Sequence, residues 1–360
     1  MTDHLDDVHV VIIGAGLSGL RCAQLVQERG VPCIVLEARG RVGGRLLSHR
    51  GPSEEAFDLG AAWVWPETQP RVVRLATRLG LELFPQHVEG FFQVERQRGE
   101  APRRFELEQS GPVSMRIEGG TALLAERVAR SLAPGTVRLG CAVERLELGP
   151  KGVTLEWRHD DRIERAHARR VVIALPPRVA SRGITFHPTL DDGVRHALLD
   201  APTWMAAHAK ALALYAEPFW RRKGLSGAAA SALGPLGEIH DASAPAGAAA
   251  LFGFFLLPAS ARTAAGATTL REACVAQLVR LFGADAKEPL QLVVQDWTSE
   301  SYTSGPGDEV PPPGHPAYAV IRPTWNDRLH FAGTETAQAS GGYLEGALEA
   351  AERAAAAVLA

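Results

Sequence analysis

The sequence predicts an α/β fold in which a parallel sheet is interrupted by an inserted α+β domain. The apolar strand "VHVVII" (8–13) leads through a Gly-rich turn and a helix into a second strand, "PCIVLEA" (32–38), which is the opening unit of a parallel sheet. A third apolar strand, "RRVVIAL" (169–175), ends before two prolines. From about residue 190 to 290, Ala, Gly, Pro and clustered aromatic residues dominate, which indicates a second sheet with its own helices.

These features divide the chain into two domains. The first is discontinuous and comprises residues 1–80, 119–190 and 290–360. The second comprises residues 81–118, which are polar and strand-like, and residues 191–289. The strand "AHAKALALY" (207–215) lies in this second domain.

The bulk composition excludes several classes of protein. A hydrophobic content of 46% and a charged content of 22% are ordinary for a soluble globular chain. The net charge of −3 provides no basic field for nucleic acid. An acidic start and the lack of an apolar run of ~20 residues predict a cytoplasmic protein with no membrane partner. The four cysteines and twelve histidines show no metal-ligand spacing, so we expect no metal. Monomer and homodimer both remain open.

The first motif is "GAGLSG" (14–19), which follows a strand and opens a helix. Its glycines allow a tight turn, backbone approach to a pyrophosphate and close helix–strand packing, and the helix N-terminus favours anions. Glu37 ends the second strand, where a carboxylate accepts hydrogen bonds from a ribose. The motif therefore predicts a dinucleotide site formed by Gly14, Gly16, Leu17, Ser18, Gly19 and Glu37.

A second motif, "ARGRVGGR" (38–45), follows Glu37 directly. A glycine pair between Arg41 and Arg45 lets backbone and guanidinium groups reach another part of a long cofactor. This arrangement favours FAD over NAD. The residues assigned to the cofactor here are Ala38, Arg39, Gly43, Gly44 and Arg45.

With both motifs, the sequence resembles the flavin-containing amine oxidase family, in a short, bacterial-type form similar to monoamine oxidases. Further segments carry the resemblance in colinear order: "FDLGAAWVWPETQPRVVRLATRLGLELF", "EGGTALLAERVA", "CAVERLE", "RRVVIALPP", "QDWTSESYTSG" and "LHFAGTETAQASGGYLEGALEAAERAA". The resemblance implies an FAD-binding Rossmann-like domain, of the two-dinucleotide-binding-domain flavoprotein type, with an inserted α+β substrate-binding cap.

The resemblance also implies further cofactor contacts. Gly60, Ala61 and Trp63 would lie along the flavin, and Val143 would contact the adenine through its backbone. Trp297 and Tyr302 would lie near the isoalloxazine. A loop and a helix N-terminus facing the flavin pyrimidine would be formed by Gly333, Thr334, Glu335, Gly342, Tyr343 and Leu344. Pro306 stands where animal monoamine oxidases have a cysteine bonded to the flavin, so we expect non-covalent FAD.

Three residues receive catalytic assignments from the resemblance: Lys210, Tyr343 and Trp297. Lys210 lies in a strand of the family form "K-(apolar)-EPFW" and would hydrogen-bond a water beside the flavin N5, promoting reoxidation. Alternation alone favours a place for Lys210 on the wet face of a strand.

Tyr343 matches one wall of the family's aromatic cage for the substrate amine. The second wall falls at Gly307. Either this half of the cage is missing or another residue supplies it, for example Trp297, Trp65 or Phe254.

The resemblance implies oxidative deamination of a primary or secondary amine, to an imine and aldehyde, with O₂ reduced to H₂O₂. Small-molecule amines and O₂ are thus the expected partners. Two alternatives remain. One is an FAD-dependent C–C desaturase or dehydrogenase of the protoporphyrinogen oxidase or carotenoid desaturase type. The other is a flavin-binding protein without turnover.

Overall fold

Two large sheets organise the chain in the computed structural model, which describes residues 5–106, 111–310, 315–316 and 318–360. The predicted segments 1–80, 81–118 and 290–360 each include a few residues outside these ranges. The strands are β1 (Leu5–Ile13), β2 (Cys33–Leu36), β3 (Ser48–Arg50), β4 (Ala56–Asp58), β5 (Leu83–Pro85), β6 (Phe91–Glu95), β7 (Arg103–Glu106), β8 (Met115–Ile117), β9 (Val137–Arg138), β10 (Cys141–Leu148), β11 (Val153–His159), β12 (Arg162–Ile173), β13 (Thr185–His187), β14 (Ala209–Tyr215), β15 (Leu225–Ser231), β16 (Leu236–Asp241), β17 (Ala249–Phe255), β18 (Gln291–Asp296) and β19 (Leu329–Phe331). The helices are α1 (Leu17–Gln27), α2 (Pro70–Arg78), α3 (Ala122–Ser131), α4 (Pro177–Gly183), α5 (Asp192–Asp200), α6 (Phe219–Arg222), α7 (Ala259–Phe282) and α8 (Leu344–Leu359).

The first sheet runs in the order β13-β10-β11-β12-β1-β2-β9, with β19 also paired to β12. Strand β1 is parallel to both neighbours, and Ile13 pairs with Leu36 on one side and with Ile173 on the other. The carboxyl ends of three strands therefore meet at one level, which is where ligands bind in sheets of this kind.

Helices α1, α3 and α8 pack together on one face of this sheet, and apolar residues from Leu17 to Val358 form a buried core there. Close packing of α1 on β1 depends on Gly19, because a Cβ at this position would overlap the carbonyl oxygen of Gly14. The third glycine of the first motif thus has the packing role predicted for it.

The second sheet runs in the order β18-β14-β17-β16-β15-β6-β7. One face packs on α7, whose Leu270 and Leu278 belong to the same buried cluster as Ala209 and Ala211 of β14. The opposite face of β14 carries Leu212, which belongs to a buried cluster with Phe57 of β4 and Leu59. All seven residues of β14 are buried, so this strand has no wet face.

Two domain boundaries differ from the predicted ones. Strand β18 pairs with β14, so the second sheet extends beyond residue 289. Helix α5 packs on α4, and its Leu198 belongs to the core beneath the first sheet, although residues from 191 onwards were assigned to the second domain. Composition cannot locate these boundaries closely, because it reports neither strand pairing nor helix packing.

None of the helices among the described residues combines the length and the apolar character needed to cross a bilayer.

Candidate active site

A cavity of about 580 Å³ lies between the carboxyl ends of β1, β2 and β12 and the second sheet. Of the residues assigned from the sequence, all line this cavity except Gly19 and Glu335. Gly19 lies where α1 packs on β1, and Glu335 forms an ion pair with Arg45. One continuous space therefore connects the Gly-rich motifs to Lys210 and Tyr343.

The two Gly-rich motifs lie side by side at one end of the cavity. Gly16 forms a bridge with Gly43, and the Gly43 N–H donates to the Ala15 carbonyl over 2.8 Å. Both Glu37 oxygens accept from backbone, one from Ala15 N at 2.7 Å and one from Arg39 N at 2.9 Å. The carboxylate is therefore fixed at the end of β2.

The backbone around Gly16 fits a pyrophosphate group. A Cβ built on Gly16 would meet nothing within 4 Å, and Gly16 precedes the first residue of α1. Bare backbone at a helix N-terminus, open to the cavity, is the cradle that a dinucleotide phosphate requires. The residues present thus fit FAD at this end.

The arginines of the second motif are used within the protein. Arg45 pairs with Glu335 through two hydrogen bonds of 2.6 and 3.1 Å, and Arg41 donates to the Gly44 carbonyl at 2.9 Å. Contact of these guanidinium groups with the cofactor stays a prediction, and Arg45 lines the cavity. Their first role is to fix the Gly43–Gly44 turn and to tie it to the loop after β19.

Three consecutive backbone carbonyls are held from the second sheet's side of the cavity. Lys210 Nζ lies 2.6 Å from the Gly60 oxygen and 3.4 Å from the Asp58 oxygen. Trp297, directly after β18, donates its indole N–H to the Leu59 oxygen at 3.2 Å. The structure thus brings two of the predicted catalytic residues together on the segment predicted to lie along the flavin.

Lys210 is only 4% exposed. Burial lowers the pKa of its ammonium to about 8, with Asp58 opposing the shift and Arg116 adding to it. The ammonium also lies 4.5 Å from the ring centre of Phe252 and 5.1 Å from that of Phe254, and such contacts favour the charged form. At neutral pH the Lys210 side chain is therefore mostly protonated, but it loses its proton more readily than an exposed lysine does.

Tyr302 lines the cavity at the end that holds Glu37. Its ring lies 5.5 Å from the Arg39 guanidinium, which also pairs with Glu300 at 3.2 Å. A position beside the isoalloxazine stays a prediction for Tyr302, since its ring contact is made with Arg39.

Tyr343 is enclosed by other rings. Trp65 meets it edge-on at 6.3 Å, Trp204 is tilted against it at 6.1 Å, and His315 stacks on it at 5.0 Å. Trp65 was among the expected replacements for the missing wall. Trp204 and His315 were missed, because only the fold brings their segments to Tyr343.

The segment that carries Trp204 is held rigidly. Thr203 donates its backbone N–H and its hydroxyl to the Asp308 carboxylate at 3.0 and 3.1 Å. Met205 adopts a positive φ of 63°, which is unusual for a residue with a side chain and is often found at functional sites. A Cβ at Gly342 would lie 2.8 Å from the Trp204 Cβ, so a glycine there admits the indole.

Gly307, the aligned position of the second cage wall, lies outside the cavity lining among the described residues. Its carbonyl accepts from Arg178 at 3.0 Å, and its φ of +94° favours glycine. The loop that would supply the wall is thus turned toward Arg178. The neighbouring Asp308 instead holds the segment that carries Trp204.

Comparison with known proteins identifies the family. A family model for flavin containing amine oxidoreductases matches residues 17–115 and 86–359. The chain belongs to this family. It is 26% identical to the flavin-containing amine oxidase A of Sus scrofa, over 98% of this chain and 85% of that protein.

Two solved amine oxidases share the fold. A putrescine oxidase bound to putrescine superposes with a TM-score of 0.82 at 22% identity, covering 98% of this chain and 99% of that one. Cyclohexylamine oxidase from Brevibacterium oxydans superposes with a TM-score of 0.81 at 25% identity, covering 98% of each chain. The predicted Rossmann-type fold, the FAD cofactor and FAD-dependent oxidative deamination of amines are confirmed.

We expect Gly16→Ala to weaken FAD binding without unfolding the protein. The added methyl group meets no protein atom within 4 Å but enters the predicted phosphate cradle. The measurement is FAD affinity of the apoprotein, with a loss of roughly tenfold or more, equivalent to about 1.4 kcal/mol. Gly40→Ala is the matched control, because its Cβ is also free of contacts and Gly40 lies outside the cavity lining. Equal affinities for the two variants would contradict the assignment.

Proposed function

We propose that this amine oxidoreductase oxidises a small primary or secondary amine held beside Tyr343, at the end of the cavity marked by Lys210. The observation that carries this proposal is one cavity with a dinucleotide cradle at one end and an aromatic enclosure at the other. In this arrangement the first sheet holds FAD and the second sheet supplies the substrate side. Pro306 offers no thiol, so FAD is bound non-covalently, and acid precipitation of the protein releases it into solution.

FAD, when bound, supplies the two-electron redox chemistry that joins amine oxidation to O₂ reduction. The aromatic side chains bind and orient the amine and exclude water from it. Tyr343, Trp65 and Trp204 form three sides of this enclosure. The amine reacts in its neutral form. The positive charge of Lys210 favours this form, because it disfavours a second positive charge at the reacting nitrogen.

Lys210 holds a proton and a positive charge next to the Asp58–Gly60 segment. An ammonium has three N–H donors, and the two carbonyl contacts account for two of them. The remaining donor serves a water or the oxygen molecule that enters the cavity. Positive charge placed where negative charge develops on oxygen lowers the barrier to its reduction.

The function is tested by adding a panel of mono-, di- and polyamines to the FAD-loaded protein without oxygen. We expect loss of the oxidised flavin absorbance with at least one amine class, followed by H₂O₂ formation when air is readmitted. A fully loaded protein that no amine bleaches would contradict the proposal.

The Lys210 charge predicts a pH dependence of the oxygen reaction. Its pKa is lowered to about 8, so the ammonium is present below that pH and is lost as the pH rises through it. We expect kcat/KM for O₂ to fall above about pH 8 in the unchanged protein. Lys210→Met is expected to lower this constant by on the order of 10²-fold and to remove the pH dependence.

The control is Lys151→Met, a variant at an exposed lysine in the turn between β10 and β11. It should retain the full rate and the pH profile. An unchanged oxygen reaction in Lys210→Met, with FAD fully bound, would show that Lys210 only supports the backbone.

Trp204 is expected to act as a wall for the substrate. Trp204→Ala removes an indole that lies 6.1 Å from the Tyr343 ring centre, so we expect kcat/KM for the amine to fall roughly tenfold, since aromatic contacts contribute about 1 kcal/mol beyond burial. Trp204→Phe should keep most of the activity. Equal kcat/KM for the alanine and phenylalanine variants, at equal FAD content, would refute the role.

A further inference from the structure

His208 lines the cavity next to Lys210. It directly precedes β14 and lies two residues before Lys210, so alternation turns both side chains to the same face, with Cα atoms roughly 6.7 Å apart. The His208 carbonyl accepts from Trp297 N at 3.1 Å, which continues the pairing of β14 with β18. The backbone therefore places His208 beside the two residues that hold the Asp58–Gly60 segment.

A turn also brings His208 to the aromatic enclosure. The His208 N–H donates to the Met205 carbonyl at 3.1 Å, so the chain turns between Trp204 and His208. Trp204, Met205 and His208 all line the cavity. The His208 ring meets the Phe254 ring edge-on, with 6.4 Å between the ring centres. His208 therefore belongs to the part of the cavity that holds both Trp204 and Lys210.

The His208 ring has hydrogen-bonding capacity that the protein leaves unused. Its Nδ1 atom is buried and has no hydrogen-bond partner among the described residues. A neutral imidazole carries one N–H donor and one lone-pair acceptor, and the protein gives Nδ1 neither role. A buried polar atom without a partner costs free energy, so its place in a cavity wall points to a ligand that satisfies it. Among the lining residues that the structure describes, His208 is the single histidine.

Charged groups surround His208 on both sides of the second sheet. On the α7 side, Arg262 donates to the carbonyl directly before His208 at 3.1 Å and pairs with Asp296 at 2.7 Å. On the cavity side, the titratable side chains nearest the enclosure are Lys210 on the same strand, Glu238 on β16 and Tyr343 before α8.

These surroundings keep the imidazole uncharged. Burial, and after it the Arg262 charge, lower the pKa of His208 from its usual value of 6.5, with the Met205 backbone opposing the shift. A lowered pKa means that the neutral form is present above pH 6.5 and that the ring takes up a proton only at lower pH. His208 is therefore a free base at neutral pH.

The proposed oxidation needs a proton acceptor. An alkylamine has a pKa close to that of a lysine, about 10.4, so it enters from neutral solution as an ammonium and must lose one proton before it reacts. Lys210 is a poor acceptor, because it is itself mostly protonated below a pH of about 8. The hydrogen bond from His240 lowers the pKa of the Glu238 carboxyl, which makes that carboxylate a weaker base still.

We propose that His208 accepts the proton that the substrate ammonium loses before it is oxidised. One N–H bond of the ammonium breaks, its electron pair stays on the amine nitrogen, and the proton bonds to the lone pair of the imidazole. The charge of Lys210 weakens the hold of the amine nitrogen on this proton. His208 is partly exposed, and its lowered pKa then favours release of the proton to water. This inference rests on the proposed amine oxidation and adds a catalytic residue to it.

The test is the pH profile of flavin reduction, without oxygen, by the panel amine that bleaches the flavin fastest. If His208 takes the proton, the ammonium binds productively. The second-order rate constant should then be constant from about pH 6.5 to 8 and fall tenfold per pH unit below the pKa of His208.

In His208→Asn, only the neutral fraction of the amine in solution reacts. The rate constant should therefore rise tenfold per pH unit over the same range and be lower at pH 7 by on the order of 10²-fold. His208→Gln provides the same reading if the asparagine variant does not fold. The matched control is His196→Asn, at an exposed histidine of α5 outside the described cavity lining, which should keep the rate and the flat profile.

Three outcomes would overturn the inference. Equal profiles for the unchanged protein and His208→Asn, at equal FAD content, leave amine oxidation standing and remove the proton acceptor. A lower rate in the variants with an unchanged flat profile assigns His208 a structural role. Absence of flavin reduction by every amine in the panel rejects the proposed function and, with it, the role of His208.

Binding without turnover provides an independent reading of the same residue. tert-Butylamine has no hydrogen on the carbon bonded to its nitrogen, so it binds as an amine but cannot be oxidised. We expect its affinity, followed by the change in flavin absorbance, to show a break at the pKa of His208 and to fall below it, because the imidazolium repels the ammonium. The break should be absent from His208→Asn. A break that persists in this variant would place the proton acceptor elsewhere.

Discussion

The three carbonyls from Asp58 to Gly60 connect the second sheet to the end of β4 and the loop that follows it, at the edge of the cavity. Buried carbonyls need donors, and here the donors come from Lys210 on β14 and from Trp297 after β18. A lysine is costly to bury, and its lowered pKa expresses that cost. The contact that holds this segment therefore leaves, in the cavity, a lysine that loses its proton more readily than an exposed lysine does.

A largely buried ion pair forms a second contact between distant segments around the cavity. Arg45 and Glu335 are joined by two hydrogen bonds, and Arg45 also donates to the Trp204 carbonyl at 3.3 Å. Removal of one partner of such a pair leaves an uncompensated charge, typically at a cost of about 3–5 kcal/mol. The pair thus links the second Gly-rich motif, the loop before α8 and the aromatic enclosure in one network.

The aromatic enclosure around Tyr343 is formed although a glycine, Gly307, stands at the aligned position of the second wall. Gly307 turns away from the cavity, and Asp308 next to it accepts two hydrogen bonds from Thr203. Trp204 then lies against Tyr343, where Gly342 leaves space for it. The residue proposed as the second wall thus comes from a loop other than the aligned one, and the buried Asp308 carboxylate holds that loop by hydrogen bonds.

Motifs whose residues are close together in the chain could be recognised from the sequence by itself. The turn at Gly14–Gly19, the carboxylate of Glu37 and the start of α8 follow from local backbone geometry, which determined the fold class and the cofactor. Lys210 was found through a family pattern, because its alternation alone also allows a solvated face. Only the tertiary structure decided that Trp204 borders Tyr343 and that His208 lies beside Trp297. Strand register and loop packing create these contacts between distant segments, and neither leaves a local signal in the chain.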